Sequence, residues 1–395
     1  MAENAVPSAP SGFAVRCAFA YAAAMSVNGI LLPFFPAWLK SLSLNEFEIG
    51  VILTVPIILR LVSAPLAGVL ADRIAERVFV LIVSAALSLI TALLLIWAGG
   101  FWTVLIIFSL QGATFAPFMP VLESITVMGV RRWGFRYGTI RVWGSIGFVV
   151  STLIAGWAIS HLSGRIVPEA TALTYLLTLS AALMAPRLGR AMRAPTAPTA
   201  DTTGMRQMAR LPFRSSLNLL MIGCTIVQST HGMYYAFSGI YWQGIGFSGQ
   251  EIGILWASGV IAEILFFFCA GRIVRHISAV SLILIGSVAA VIRWSLFVTP
   301  LSFEASVLLQ CSHALSFAFL HFGMQQKIVE VVHESQESSI QGTFFFYNGA
   351  FLAASTFLSG LIYHSLGQHS YYVMSAVAAF GLLITLTVSR RAWKA

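Results

Sequence analysis

Ionisable side chains inside long apolar stretches are the residues of this sequence that could do chemistry. Of the 14 acidic residues, only Glu123 and Glu263 lie well inside such stretches. Because hydrocarbon disfavours charge, an ionisable group there usually faces a partner or a water-filled cavity, where it can carry a proton or bind a charged solute. The basic and titratable side chains in the same kind of location are Arg60, Arg141, Arg293, His231, His313 and His321.

Glu123 and Arg141 form the first candidate constellation. Glu123 lies near the end of one apolar stretch and Arg141 near the start of the next, with a short basic turn between them. In an antiparallel helical hairpin the two side chains reach similar depth, where they can pair or share a polar substrate. We expect them to bind substrate; the alternative is a structural ion pair at a helix end.

A second set of candidates recurs at spacings of three and four residues, which places its members on one helix face. These side chains are Gln228, His231, Tyr234 and Tyr235. A polar, aromatic face suits the wall of a binding cavity, although tyrosines at helix interfaces often only pack. Asn28, in the first apolar stretch, could contact substrate or donate a hydrogen bond to a neighbouring helix.

Glu263, Arg293 and His313 are the candidates for proton coupling. Glu263 lies in the middle of its stretch, where the carboxyl can hold or release a proton according to whether water reaches it. His313 could act as a second titratable group, and Arg293 could stabilise an ionised carboxylate. A structural polar network is the alternative, and Glu263, His313 and Glu123 all remain candidates for the proton carrier.

The elements that must position these residues are membrane-spanning helices. The chain has 395 residues, of which 58% are hydrophobic and only 9% charged, whereas soluble domains carry roughly 25% charged residues. About 20 apolar residues suffice to cross a bilayer, and twelve such stretches occur between residues 13 and 389. They are continuous and not alternating, so the pattern predicts an all-α integral membrane protein with twelve transmembrane helices.

A polar segment rich in Ala, Pro and Thr divides the chain near its middle. It predicts a cytoplasmic linker at residues 188–214 between six-helix bundles at 13–187 and 215–390, with a cytoplasmic leader at 1–12 and a tail at 391–395. Two bundles of equal length indicate a duplicated transporter whose binding site lies near the membrane midplane, between the halves.

The positions of the basic residues predict the orientation. With a cytoplasmic amino terminus, 18 of the 23 Lys and Arg residues fall in inside segments, three lie within spans, and only Lys40 and Arg165 fall outside. Since Lys and Arg concentrate on the cytoplasmic side, we expect both termini there. The net charge of +9 then follows from topology, and we expect no nucleic-acid partner. The four scattered cysteines show no metal-ligand spacing, so we expect no metal site. We also expect no cofactor. The coupling ion that we expect is a proton.

Gly68, Asp72 and Arg73 mark the connection between the second and third stretches. Gly68 allows close helix packing, and Asp72 can meet helix amino termini or arginines of another helix as the halves move. We expect these residues to form a gate. They resemble the motif G-x-x-x-D-R-x-G-R of the major facilitator superfamily, although Ala75 and Glu76 depart from it.

Two longer segments resemble the oligosaccharide/proton symporters of that superfamily, the group that includes lactose permease. They are residues 33–39 (PFFPAWL) and 137–144 (YGTIRVWG). The 18-residue spacing of Glu123 and Arg141 is similar to that of the group's substrate-binding Glu and Arg.

Arg293 and His313 keep the 20-residue spacing of the group's coupling Arg and His. Three residues after the His, where the group has its proton-carrying Glu, this chain has Ser316, and Gln310 replaces a nearby Lys. The departure shifts the expected proton role to Glu263 or His313.

The strongest resemblance is to the phenylpropionate permease group, in residues 231–237, 240–243 and 255–263. It extends over nearly all predicted helices and implies a bacterial inner-membrane transporter of the major facilitator fold, acting as a monomer. The implied activity is import of an aromatic carboxylate such as 3-phenylpropionate with a proton. The alternatives are a sugar or nucleoside symporter, a drug/proton antiporter, and a membrane enzyme or sensor. For an enzyme, His313 and Ser316 lie one helical turn apart, but no oxyanion donor is evident nearby.

Overall fold

The structure, a computed structural model, describes residues 8–73, 76–188, 215–273, 276–332 and 334–392. Helices of the amino-terminal half (residues before 188) are α1 Phe13–Ser41, α2 Glu46–Arg73, α3 Arg77–Ile96, α4 Phe101–Phe115, α5 Phe118–Trp133, α6 Tyr137–Leu162 and α7 Val167–Met184, the last preceded by a 3-10 turn at Gly164–Ile166. Helices of the carboxy-terminal half (residues from 215) are α8 Ser216–Ser229, α9 His231–Gly244, α10 Gly249–Ile273, α11 Ala279–Phe297, α12 Phe303–Cys311, α13 Leu320–Val331, α14 Glu334–Leu366 and α15 Ser370–Ala392.

The predicted helical membrane class is confirmed. The described residues contain no strand, and nine of their segments are long and apolar enough to cross a membrane. Side chains such as Phe268, Trp102 and Leu308 are exposed, as expected for a lipid-facing perimeter. Several predicted features lie outside the described residues: most of the linker, the first residues of the leader, the last residues of the tail, and the side chains of Gly68, Asp72 and Arg73.

Three of the apolar stretches form interrupted helices. Pro117, which lacks a backbone N–H, stands between α4 and α5, and Thr230 stands between α8 and α9. The Thr230 hydroxyl donates to the Val227 carbonyl at 2.6 Å and accepts from Trp294 Nε1 at 2.8 Å. The third interruption is a π-helical turn, Ala314–Phe319, directly after His313. Such turns are frequent at functional sites.

Glycines allow helices of the two halves to meet at one end of the molecule. A Cβ on Gly50 of α2 would lie 3.0 Å from Cα of Gly360 in α14, and a Cβ on Gly156 of α6 would lie 2.6 Å from the carbonyl oxygen of Gly249 in α10. Larger residues would therefore hold the backbones apart. We call this end, which carries the α1–α2 and α6–α7 connections, the closed end.

Polar contacts reinforce the closed end. Glu46 accepts hydrogen bonds from Lys40 Nζ at 2.5 Å and from His364 Nδ1 at 3.1 Å, and so ties the first half to the second. The Ser160 hydroxyl accepts from the backbone N–H of Gln250 at 2.8 Å. Partial burial of the Glu46 carboxyl raises its pKa, but the hydrogen bonds from Lys40 and His364 outweigh burial and lower the pKa from 4.5 to about 2.

We expect the closed end to loosen in acid. A carboxyl whose pKa is lower in the closed state stabilises that state above its ordinary pKa of 4.5, and this stabilisation is lost as pH falls towards 2. Since the partners of Glu46, Lys40 and His364, are exposed to solvent, loss of these ion pairs should change the ratio of open to closed molecules by no more than about fivefold. Double electron–electron resonance between spin labels on the α1–α2 and α14–α15 connections would measure the ratio of open to closed molecules.

Glu46→Gln should produce the same loosening at neutral pH and remove the pH dependence. The matched control is Glu330→Gln, because Glu330 pairs with Lys327 at 3.1 Å within a single helix and joins no halves. Identical distance distributions for Glu46→Gln and the unsubstituted protein at pH 7 would show that the pair does not hold this end closed.

Candidate functional site

Glu123 lies in a polar site inside the amino-terminal half. α5 places its half-buried carboxylate beside α1 and the start of α6. The hydroxyls of Tyr21 and Tyr137 each donate to one of its two oxygens. Two hydroxyl donors from α1 and α6 thus hold the carboxylate in place.

Arg141 lies one helical turn after Tyr137 and shares Tyr21 with Glu123. Its guanidinium carbon lies 5.1 Å from the centre of the Tyr21 ring, a cation–π contact. Gly144, one turn further along α6, leaves room for this guanidinium, since a Cβ there would lie 2.8 Å from Arg141 Nη1. Among the described side chains, Glu123 and Arg141 make no direct ion pair within 4.0 Å. The structure thus brings the predicted pair to one site through the tyrosines Tyr21 and Tyr137.

Asn28 lies on the same α1 surface as Tyr21. Its amide donates a weak hydrogen bond to Met25 Sδ at 3.7 Å, and the Met25 side chain packs close to Gly144 of α6. Asn28 therefore lies along the α1–α6 interface that also carries Arg141.

Arg293 is the centre of a second polar cluster, inside the carboxy-terminal half. It is 1% exposed, and its guanidinium lies 4.9 Å from the Tyr234 ring centre and 4.7 Å from that of Trp294. Its Nη2 donates to Gln310 Oε1 at 2.8 Å. Its Nη1 shares two hydrogens among His313 Nδ1 at 2.9 Å, Ser316 Oγ at 3.3 Å and His231 Nε2 at 3.4 Å.

These contacts assign the histidine tautomers. Arginine has five N–H donors and no acceptor, so the nitrogens facing Arg293 must be unprotonated. His313 then carries its proton on Nε2, and His231 carries its proton on Nδ1, 3.1 Å from the carbonyl oxygen of Gln228. Both rings are neutral in this arrangement, and Arg293 supplies the positive charge of the cluster.

Glu263 completes the cluster from α10. Its Oε1 lies 3.5 Å from His313 Nε2, the protonated nitrogen, and its side chain is 18% exposed. The neutral His313 ring thus lies between the Glu263 carboxylate, which it approaches without a hydrogen bond, and the Arg293 guanidinium. The structure brings together all three predicted coupling residues.

Several buried polar atoms around this cluster have no hydrogen-bond partner among the described residues. They are Glu263 Oε1, Arg293 Nε, Gln310 Nε2, Gln228 Nε2 and Trp256 Nε1. Buried polar groups are normally satisfied by protein, water or ligand. These atoms therefore leave hydrogen-bonding capacity in the cluster that water or substrate can use.

The residues of the predicted polar, aromatic face make two kinds of contact. His231 and Tyr234 are buried against Arg293, whereas Gln228 accepts from Asn348 Nδ2 of α14 at 2.9 Å. Tyr235 is less buried, and its ring centre lies 6.0 Å from that of Trp256. This face therefore forms one wall of the Arg293 cluster and also joins α8 to α14.

Sequence reasoning missed two partners of the site residues, Tyr21 and Tyr137, and took Gln310 and Ser316 only as departures from the coupling pattern of the symporters. Some signal for them existed, since Tyr137 precedes Arg141 by one helical turn, and Gln310 and Ser316 lie three residues on either side of His313. Residues at this spacing share a helix face. Nothing in the sequence around Tyr21 distinguished it from a packing tyrosine.

A family model described as the MFS_1 like family matches residues 15–374. The chain belongs to this family. It is 28% identical over 364 residues to a protein of Escherichia coli (strain K12) named "Probable 3-phenylpropionic acid transporter", covering 89% of this chain and 91% of that one. It is 20% identical to the lactose permease of Citrobacter freundii, over 92% and 91% of the two chains.

Solved structures agree with the fold. A crystal structure of the nucleoside transporter NupG superposes with a TM-score of 0.79, at 17% identity, over 96% of this chain and 98% of that one. The protein is therefore a transporter of the major facilitator type and not an enzyme, and a multi-pass protein of the bacterial inner membrane. Its relatives include lactose permease, as the sequence motifs predicted.

Proposed function

We propose that this transporter imports a small organic anion together with a proton, by alternating access. The proposed substrate is an aromatic carboxylate such as 3-phenylpropionate. The observation that carries the proposal is the chain from Glu263 through His313 to Arg293, which links one titratable carboxylate to one buried cation.

Charge balance in this chain couples the proton to the anion. When Glu263 is ionised, it compensates the charge of Arg293 through the polarised His313 ring. Protonation of Glu263 leaves the carboxy-terminal half with an uncompensated positive charge on Arg293. In surroundings of low polarity this charge attracts an anion. Anion binding and Glu263 protonation therefore favour each other, as symport requires.

Arg141 is the proposed partner of the substrate carboxylate. Its guanidinium touches the Tyr21 ring and makes no ion pair within 4.0 Å with Glu123, so a substrate carboxylate could make a bidentate contact with it. Glu123, with its hydroxyl partners, would orient Tyr21 and hold Arg141 by charge when no substrate is present. The name of the E. coli relative supports an aromatic acid, and the rings of Tyr235 and Trp256 could receive one.

We infer the predicted architecture for the whole chain. If α4–α5, α8–α9 and α12–α13 each cross the membrane as one interrupted helix, the fifteen helices make twelve spans, six on each side of the linker. The bundles are then residues 13–187 and 215–390, and the distribution of Lys and Arg supports cytoplasmic termini. Asp72 and Arg73 would gate the cytoplasmic side, and the transporter would act as a monomer.

A proton-coupled sugar or nucleoside symporter is the second candidate. Glu123 and the amide pair of Gln228 and Asn348 offer hydrogen-bonding groups that also suit a neutral polyol. The two candidates differ in the charge that they move.

Transport of the anion should be insensitive to membrane voltage. One anion carried with one proton moves no net charge, whereas a neutral solute carried with a proton gains about 2.3 kcal/mol per 100 mV, or about 50-fold accumulation. Accumulation of 3-phenylpropionate into proteoliposomes, at a fixed pH gradient with and without a potassium diffusion potential, should agree within about twofold. A large rise with voltage, or competition by sugars or nucleosides, would favour the second candidate.

A further inference from the structure

A cavity lies at the closed end, apart from the two polar clusters. Its volume is about 360 Å³, which is within the range of small-molecule sites. It is bordered by α1, by the end of α6 with the following 3-10 turn, and by α9 and α10. Both halves of the transporter therefore line it.

The chemistry of the lining suits an aromatic anion. Phe34 and Trp38, 3% and 5% exposed, form part of the apolar wall, and Lys40 and Arg165 supply positive charge. The fourteen lining residues include no acidic side chain. An apolar cavity with a few convergent polar groups is the usual form of a ligand site.

Lys40 and Arg165 are the same two residues that the sequence places outside the membrane, against 18 basic residues inside. Basic residues are uncommon in outer loops, and the fold brings both of these to one cavity. Lys40 also pairs with Glu46 at 2.5 Å. Arg165 is exposed, and no described acidic side chain pairs with it.

The backbone before Arg165 has an unusual conformation. Ser163 has φ 145° and ψ 155°, a region that essentially only glycine adopts without strain. Its hydroxyl accepts a hydrogen bond from the backbone N–H of Arg165 at 3.2 Å. This turn directs the chain from α6 into the 3-10 turn, where Arg165 reaches the cavity wall.

We propose that this cavity is an outer binding site for a small aromatic carboxylate, whose carboxylate contacts Arg165 and whose ring lies in the cavity along α1. The proposal takes its ligand class from the cavity lining and does not depend on proton coupling at Glu263. Because both halves line the cavity, a bound anion favours the conformation in which this end is closed. A high external concentration of the anion should then slow uptake.

Photolabelling of the purified full-length protein with 4-benzoylbenzoate tests the proposal. Peptide mapping should find label in residues 33–41 or 159–167. Arg165→Ala should reduce labelling there about tenfold or more, and Arg165→Lys should reduce it less, because the charge–carboxylate contact is lost only in the first. The uncharged methyl ester of the probe should label this region weakly.

Two controls separate this site from the proposed transport site. Arg141→Ala, expected to lose uptake, should keep the outer label, and Arg136→Ala, an exposed arginine beside α6, should change neither. Thermal unfolding verifies that each variant is folded, and Arg165→Gln replaces the alanine variant if needed. The proposal would be overturned if the Arg165 variants were labelled in this cavity as strongly as the unsubstituted protein. It would also be overturned if the methyl ester labelled the cavity as strongly as the acid, whatever the transport assays give.

Discussion

Replacing Glu263 with glutamine is expected to abolish uphill accumulation of the anion while leaving exchange of anion across the membrane intact. Glutamine keeps the size of the side chain and cannot bind or release a proton. It fixes the cluster in the charge state of protonated Glu263, in which Arg293 is uncompensated and anion binding is favoured. The anion-loaded transporter can still change conformation, but it no longer binds a proton on one side of the membrane and releases it on the other.

The measurement is accumulation into proteoliposomes under an inward proton gradient. With one pH unit, one-to-one symport accumulates the anion up to about tenfold, and Glu263→Gln should give a ratio of about one. Counterflow exchange of labelled for unlabelled anion should proceed in both. The control is Glu304→Gln, an exposed carboxyl at the start of α12. Normal accumulation by Glu263→Gln would assign the proton to another residue.

Replacing Arg141 with alanine should remove anion recognition itself. The substitution deletes the cation that meets the carboxylate and the contact with the Tyr21 ring. Hydrogen bonds to charged groups contribute about 1.5–3 kcal/mol, so kcat/KM for uptake should fall about 10- to 100-fold. Exchange should fall together with accumulation, in contrast to Glu263→Gln.

Two variants sharpen the test at Arg141. Arg141→Lys keeps the charge but loses the planar, bidentate geometry, and should recover only part of the activity. Arg136→Ala removes an exposed arginine just before α6 and should transport normally. If Arg141→Ala transported the anion at the normal rate, the carboxylate would bind elsewhere.

The sequence predicted the helical class and most of the residues that meet in the clusters, for a clear physical reason. Ionisable groups are rare in apolar stretches, so each one is informative. Glu263, Arg293 and His313 come from three different helices, and the structure brings them together. The spacing of Arg293 and His313 resembled that of the coupling Arg and His of known symporters, which supplied a long-range pairing that helical periodicity alone cannot give.

Other features could not be predicted because apolar patterning does not encode them. The interruption at Thr230 and the π-helical turn after His313 lie inside continuous apolar stretches. Ser316 looked like the loss of a proton carrier, but the structure shows its hydroxyl accepting from Arg293. The indirect relation of Glu123 to Arg141 depends on where the Tyr21 ring lies, which tertiary packing decides.

Proton uptake on substrate binding tests the coupling of anion and proton most directly. Purified transporter in weakly buffered solution with a pH indicator would receive 3-phenylpropionate at a pH where Glu263 is ionised in the free protein. We expect about one proton taken up per anion bound, and none for Glu263→Gln, which should still bind the anion. Anion binding without proton uptake by the unsubstituted protein, or undiminished uptake by Glu263→Gln, would contradict the account.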